Sequence, residues 1–347
     1  LYSAVGIVGQ PLVGPWVDAV GRRPFMVTGV ALVLAGSLLA ALAGGGVGLL
    51  AVVRLLQGLG FSAYFVASFA YVVDIVEPER RGWALGIYGV SGLLSMALAP
   101  LLGEWIVRRF GFRPLFVASA SLALLAAALV WRLEEARPRG TVPVRPGALV
   151  RGGFEDLLHR HMAVALFFGL GAGTIATFLP TFAEDLGVTT LSLFYTAYGV
   201  AAIGVRVLGG RLIDTRGRRA VIVPSMFVQA VATSLLALLG LLVTRRSATP
   251  VVPVLVVAGL LSGGAHGFVY PGLAALVADQ TPPARRAAVV GVFSAMFLIG
   301  QTAGAFVFGY VAHALGYTSM WSVLTGLLVI GGALSLGLAA DRSPRAA

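Results

Sequence analysis

Residues 14–23 read Gly-Pro-Trp-Val-Asp-Ala-Val-Gly-Arg-Arg, and residues 210–219 read Gly-Arg-Leu-Ile-Asp-Thr-Arg-Gly-Arg-Arg. Gly14, Asp18, Gly21, Arg22 and Arg23 thus recur as Gly210, Asp214, Gly217, Arg218 and Arg219, 196 positions further on. The chemistry these residues support is electrostatic rather than bond-making. Gly14 and Gly210 allow close helix contact, and Gly21 and Gly217 permit a tight turn. An aspartate between them is placed to meet the positive N-terminal end of a neighbouring helix. A second pair follows. Asp74 precedes Pro78, Arg80-Arg81 and Gly86 at the same distances by which Asp279 precedes Pro283, Arg285-Arg286 and Gly291, now 205 positions apart.

Other polar residues stand singly inside apolar runs. Arg54, in Arg54-Leu-Leu-Gln57-Gly58, would cost at least about 2.5–3.5 kcal/mol at the centre of a membrane helix, so it is expected to face the interior and to have a partner. His266 sits in Gly-Gly-Ala-His-Gly-Phe-Val-Tyr270-Pro, where flanking glycines leave room for a cavity and the imidazole could bind substrate or carry a proton. Tyr270 and Gln301 are further cavity candidates. Arg206, in register with Gln10, lies one turn before Gly210 and reads as a rim residue. No catalytic, metal or phosphate-binding constellation is present. There is no cysteine; His159 and His161 are two apart, poor spacing for shared ligation on one helical face; and Gly44-Gly45-Gly46 lacks a following Gly-Lys-Ser/Thr. No enzyme activity, cofactor or metal is expected.

The elements that carry these residues must be membrane helices. Hydrophobic residues make up 58% of 347 and charged ones 11%, against roughly 25% charged in a soluble domain. A span needs about 20 apolar residues, and runs of that length are expected at 1–17, 24–43, 48–75, 82–107, 112–132, 161–184, 190–212, 219–243, 251–278, 286–313 and 317–340. The basic residues are all arginine. Eighteen of them, from Arg22 and Arg23 to Arg342 and Arg345, fall in loops on one side, whereas the other side has Arg108, Arg109, Arg113, Arg245 and Arg246. The rule that positive loops stay inside makes the first side cytoplasmic. The net charge of +11 is scattered in short clusters between spans, without the continuous stripe a nucleic acid requires.

Residues 133–160, rich in Arg, Pro and Gly, read as a cytoplasmic linker between an N-terminal half at 1–132 and a C-terminal half at 161–347. The second half has two spans before its motif and the first only a stub that begins Leu1-Tyr2-Ser3. A first helix and the start of the second are therefore expected to precede residue 1.

The duplicated loop resembles the signature of the major facilitator superfamily, and the resemblance covers the whole chain. It implies an all-α polytopic membrane protein with two six-helix halves related by a pseudo-twofold along the membrane normal, eleven of the twelve helices being present here. It implies that Asp18 meets the helix starting near Arg286, and Asp214 the one starting near Gly82. Arg22 with Asp74, and Arg218 with Asp279, would be ion pairs, and the set a latch on the cytoplasmic side. It likens Arg54 to an arginine linked to proton coupling. Gly92, Pro100 and Gly103, with Ser95 and Ala99 in place of two glycines, partly match a close-packed segment of antiporters.

The resulting expectation is a secondary active transporter of the inner membrane, working by alternating access and exporting a small amphipathic organic compound against protons. Proton-symport uptake of an organic acid or sugar-like solute is the alternative, and a non-transporting receptor or scaffold a third reading. The expected partners are a small-molecule substrate, protons and the lipid bilayer; a monomer is expected, and no nucleic acid.

Overall fold

The computed structural model of the chain describes residues 2–42, 46–136, 160–188, 192–244 and 251–338, and their regular structure is helical. In order these are α1 (Tyr2–Val20), α2 (Arg22–Leu42), α3 (Val47–Ile75), α4 (Arg81–Phe110), α5 (Phe112–Trp131), α6 (Arg160–Asp185), α7 (Ser192–Leu208), α8 (Gly210–Thr215), α9 (Arg218–Thr244), α10 (Val251–Gln280) and α11 (Arg286–Ser335). Apolar composition leaves helices as the only open structure that satisfies its own backbone in lipid. By length and hydropathy α2, α3, α5, α6, α9, α10 and the stretch holding α11 can each cross a bilayer.

Glycine sets most of the breaks. Gly21 separates α1 from α2 at φ 129°, and Gly217 precedes α9 at φ 89°. Both angles favour a residue without Cβ. The expected span 190–212 is two helices. α7 stops at Leu208, and a Gly209-Gly210 pair, weak in helix propensity, lets the chain restart as α8. Gly316, at φ 78° and ψ 168°, interrupts α11 between the two spans expected at 286–313 and 317–340. Short 3₁₀ turns, Pro78–Arg80 and Pro283–Arg285, lead into α4 and α11.

The chain forms two compact units. The first comprises residues 1–78, 91–157 and 277–295; the second comprises 79–90, 158–276 and 296–347. Each unit therefore holds the opening turns of a helix whose remainder belongs to the other: α11 in the first, α4 in the second. In the first unit Val17, Met26, Val66, Ala67, Ala70, Val130 and Ala287 form a core. The second has a larger one around Phe182, Phe194, Leu236, Leu255, Phe308, Trp321 and Leu328. Leu122, Leu124, Leu125 and Leu129 of α5 are exposed, as suits a surface solvated by lipid rather than water. The linker at 133–160 lies outside the described residues from 137 to 159.

Candidate functional site

Asp18 is carried on the last turn of α1, and within the first unit it meets the beginning of α11. Its Oδ1 accepts from the Ala287 N–H at 3.1 Å and its Oδ2 from the Ala288 N–H at 2.8 Å. These amides belong to the first turn, where no intrahelical acceptor exists, and the helix end adds positive potential. The approach is close because Gly14, one turn earlier, has no side chain; a Cβ there would overlap the Ala287 carbonyl and the Ala288 Cα. Arg22 completes the cluster. Its Nη2 lies 3.0 Å from Asp18 Oδ1 and its Nε donates to Asp74 Oδ2 at 2.9 Å, while Arg286 Nη1 lies 2.7 Å from Asp74 Oδ1. Asp18, Arg22 and Asp74 are almost wholly enclosed, so these charges must satisfy one another.

The second unit repeats the arrangement with other residues. Asp214 of α8 accepts from the Gly82 N–H at 2.9 Å and the Trp83 N–H at 2.8 Å, the first turn of α4. Arg218 Nη1 lies 2.5 Å from Asp214 Oδ1 and also donates to the Ile213 carbonyl at 3.0 Å. Here the close approach falls on Gly82, where a Cβ would press on Ile213 and Asp214. Gly210 opens α8, and Arg219 Nη2 donates to the Leu336 carbonyl at 2.5 Å. Asp279 lies near the end of α10, in the 277–295 segment of the first unit, whereas Arg218 belongs to the second.

One contributor was not singled out by spacing. The Glu135 carboxylate, just beyond α5, accepts from the backbone N–H groups of Arg22 at 2.8 Å and Arg23 at 3.1 Å, and so caps α2. A Cβ at Gly21 would overlap this carboxylate, which gives that glycine a second reason besides its φ. Arg23 reaches the other way, to the Trp131 carbonyl at 2.5 Å and over the Trp131 ring at 5.3 Å. The available signal was the acidic pair Glu134-Glu135 directly after the last turn of a span.

The cavity candidates divide. Arg54 is exposed, and its Nη1 donates to Gln57 Oε1 of its own helix at 3.3 Å. Leu50, Leu55 and Leu59 are exposed beside it, and among the described residues its guanidinium meets Gln57. Gln57 is half-buried, its Cγ against Gly36. In the second unit His266 and Tyr270 stack at 6.4 Å with rings 7° from parallel. Phe168 (5.3 Å), Tyr198 (5.8 Å) and Phe297 (6.3 Å) surround the imidazole. The Gln301 backbone is pressed against Gly169 and Gly173. Arg206, one turn before Gly210, is 4% exposed. Gly86 and Gly89 of α4 admit its backbone and guanidinium, a packing partner that spacing along α7 does not reveal.

Among the described residues nothing lies within 4 Å of a Cβ at Gly92, and Leu115 lies 3.7 Å from one at Gly103; the side chain of Pro100 lies outside the described residues. Tight crossings occur on other helices. Gly259, Gly263 and Gly267 of α10 seat on Phe194, Tyr198 and Ala202 of α7, and Gly169 and Gly173 of α6 seat on Phe297 and Gln301 of α11.

Comparison with known proteins agrees with this architecture. The chain is 32% identical over 171 residues to the inner membrane transport protein YajR of Escherichia coli, a match that takes in 49% of this chain and 37% of that protein. It is 25% identical over 325 residues to the multi-drug resistance efflux pump PmrA of Streptococcus pneumoniae, covering 90% of this chain and 77% of the pump. The structure of the proton:xylose symporter XylE superposes with a TM-score of 0.79 at 15% identity, over 98% of this chain and 85% of the symporter. The family described as Major Facilitator Superfamily, whose members are transporters and not enzymes, matches residues 1–246 and again 162–347. With its helical fold and its duplicated carboxylate–helix junctions, the chain belongs to the Major Facilitator Superfamily.

Proposed function

We propose that this multi-pass membrane protein is a secondary active transporter that exports a small amphipathic organic compound by alternating access, with protons as the counter-ion. The observation that carries the reading is the duplicated junction. Asp18 on Ala287 and Ala288, and Asp214 on Gly82 and Trp83, each join a helix of one sequence half to the first turn of a helix from the other. Two hydrogen bonds to a charged acceptor contribute about 1.5–3 kcal/mol each. About 5.5 kcal/mol carries a two-state equilibrium from 1:99 to 99:1. A pair of such junctions is therefore strong enough to hold one state and weak enough to be released in a cycle. In this reading they latch the cytoplasmic side, with Asp74 as the ion-pair partner of Arg22. His266 and Tyr270 line the substrate path. PmrA, described as a multidrug efflux pump, supports export over uptake.

Reconstitution of the full chain in proteoliposomes with an imposed pH gradient tests the proposal. Ethidium and salicylate serve as amphipathic probes of opposite charge. Movement of a probe against the direction of proton flow is expected. Accumulation in the same direction as the protons would overturn export in favour of symport, and no gradient-driven flux of any solute would favour a scaffold.

A further inference from the structure

Arg206 is a buried cation with no counter-charge among the described residues. It is 4% exposed, its Nε is enclosed with no acceptor, and among the described residues no group accepts a hydrogen bond from its side chain. A desolvated guanidinium in this condition is costly unless something binds it.

The internal repeat shows that this charge was not required by the fold. The position 196 residues earlier is Gln10, and the two are packed alike: the Gln10 carbonyl lies against Gly291 and the Arg206 carbonyl against Gly86. One turn along the partner helix, the first copy has Ser294 where the second has Gly89, and a Cβ at Gly89 would collide with the guanidinium. The second copy has thus enlarged one side chain and removed its neighbour's. A third difference runs the same way. The first copy stacks Phe61 on Phe65 at 5.6 Å, and 205 positions on stand His266 and Tyr270, stacked at 6.4 Å. Arg206 lies within electrostatic range of Tyr198, Tyr270 and His266. Phe168 and Phe297 complete the aromatic ring around the imidazole, and His266, Tyr198, Tyr270 and Phe297 are each only half-buried.

We propose that Arg206 and this aromatic cluster form a binding site, within the second unit, for the oxyanion group and flat ring of a small aromatic carboxylate or sulfonate. The guanidinium presents planar paired donors that match a carboxylate, and ring faces and edges accept an aromatic body at little entropic cost. The site deepens the transport reading by naming the class of solute, and it rests on that reading only for the solute's movement, not for its binding.

The test is equilibrium binding by calorimetry to the full chain in phosphatidylcholine nanodiscs, with salicylate, benzyl alcohol and benzyltrimethylammonium as probes. Salicylate is expected to bind and the other two to bind at least about tenfold more weakly, a preference of about 1.4 kcal/mol. Arg206→Gln removes the salicylate preference and Arg206→Lys keeps part of it. Because a buried unpaired charge is removed, the melting temperature of R206Q is expected to hold or rise. Unchanged salicylate affinity in R206Q, tighter binding of the cation, or a lowered melting temperature with binding intact would each overturn the site. Competition by added phosphatidylglycerol would reassign it to a lipid headgroup and equally overturn it. Salicylate that binds but does not move under a pH gradient would leave the site standing and count against transport alone.

Discussion

At the scale of single residues the chain separates charges that hold the fold from a charge that waits for a ligand. Asp18, Arg22 and Asp74 are enclosed and mutually paired at 2.9–3.0 Å, so each neutralises a neighbour. The amides of Ala287 and Ala288 depend on the carboxylate in the same way. Asp18→Asn removes the negative charge from a helix N-terminus and leaves one strong acceptor where there were two. Amide exchange over 286–295 is expected to quicken at least about tenfold, the equivalent of about 1.4 kcal/mol. Asp214→Asn should do the same over 81–90. Protection unchanged in both variants would remove the latch from the mechanism. The aspartates could be singled out from sequence because their spacing to glycine and arginine occurs twice. Glu135 could not, because a lone acid after a span is ordinarily solvated and only the fold brings α2 beneath it.

At the scale of elements, small residues decide which helices touch. Gly263 of α10 lies so close to Tyr198 of α7 that a Cβ would overlap its backbone carbonyl, whereas Gly92 of α4 faces open space. Gly263→Leu is therefore expected to cost about 1–3 kcal/mol through overpacking. Gly92→Ala should be neutral, or stabilise by up to about 1 kcal/mol through helix propensity. Thermal melting of the two variants beside the parent checks this, and equal losses would mean that the α4 segment packs as tightly as α10. Glycine spacing marks both segments as able to pack closely; it does not say which neighbour arrives. The same limit explains Arg206. Its burial comes from Gly86 and Gly89 on α4, more than 100 residues away in sequence.

At the scale of the molecule, the arginine asymmetry predicts orientation. The absence of cysteine makes the prediction simple to check, since any introduced thiol is the only one. Glu79→Cys, in the turn between α3 and α4, is expected to react with an impermeant maleimide only from the cytoplasmic side. Phe110→Cys, at the end of α4, should react only from the opposite side. Labelling of both from one side would refute the assignment of spans. Each compact unit also contains the first turns of one helix that continues in the other unit, 286–295 in the first and 79–90 in the second. Both junctions fall on those exchanged turns, so their chemistry is tied to the connectivity of the chain and not to an isolated surface.

What the sequence determined by itself follows from quantities that accumulate along the chain. Hydropathy required helices in lipid, the arginine count predicts a direction for them, and two motifs recur at fixed offsets. Tertiary structure decided what depends on a single close approach: Arg54 exposed and bonded to Gln57, Arg206 enclosed, α7 broken at Gly209 and α2 capped by Glu135. Periodic signals average over many residues and survive any local detail. A buried charge or a cap depends on one neighbour, and spacing in the sequence does not say which neighbour that is.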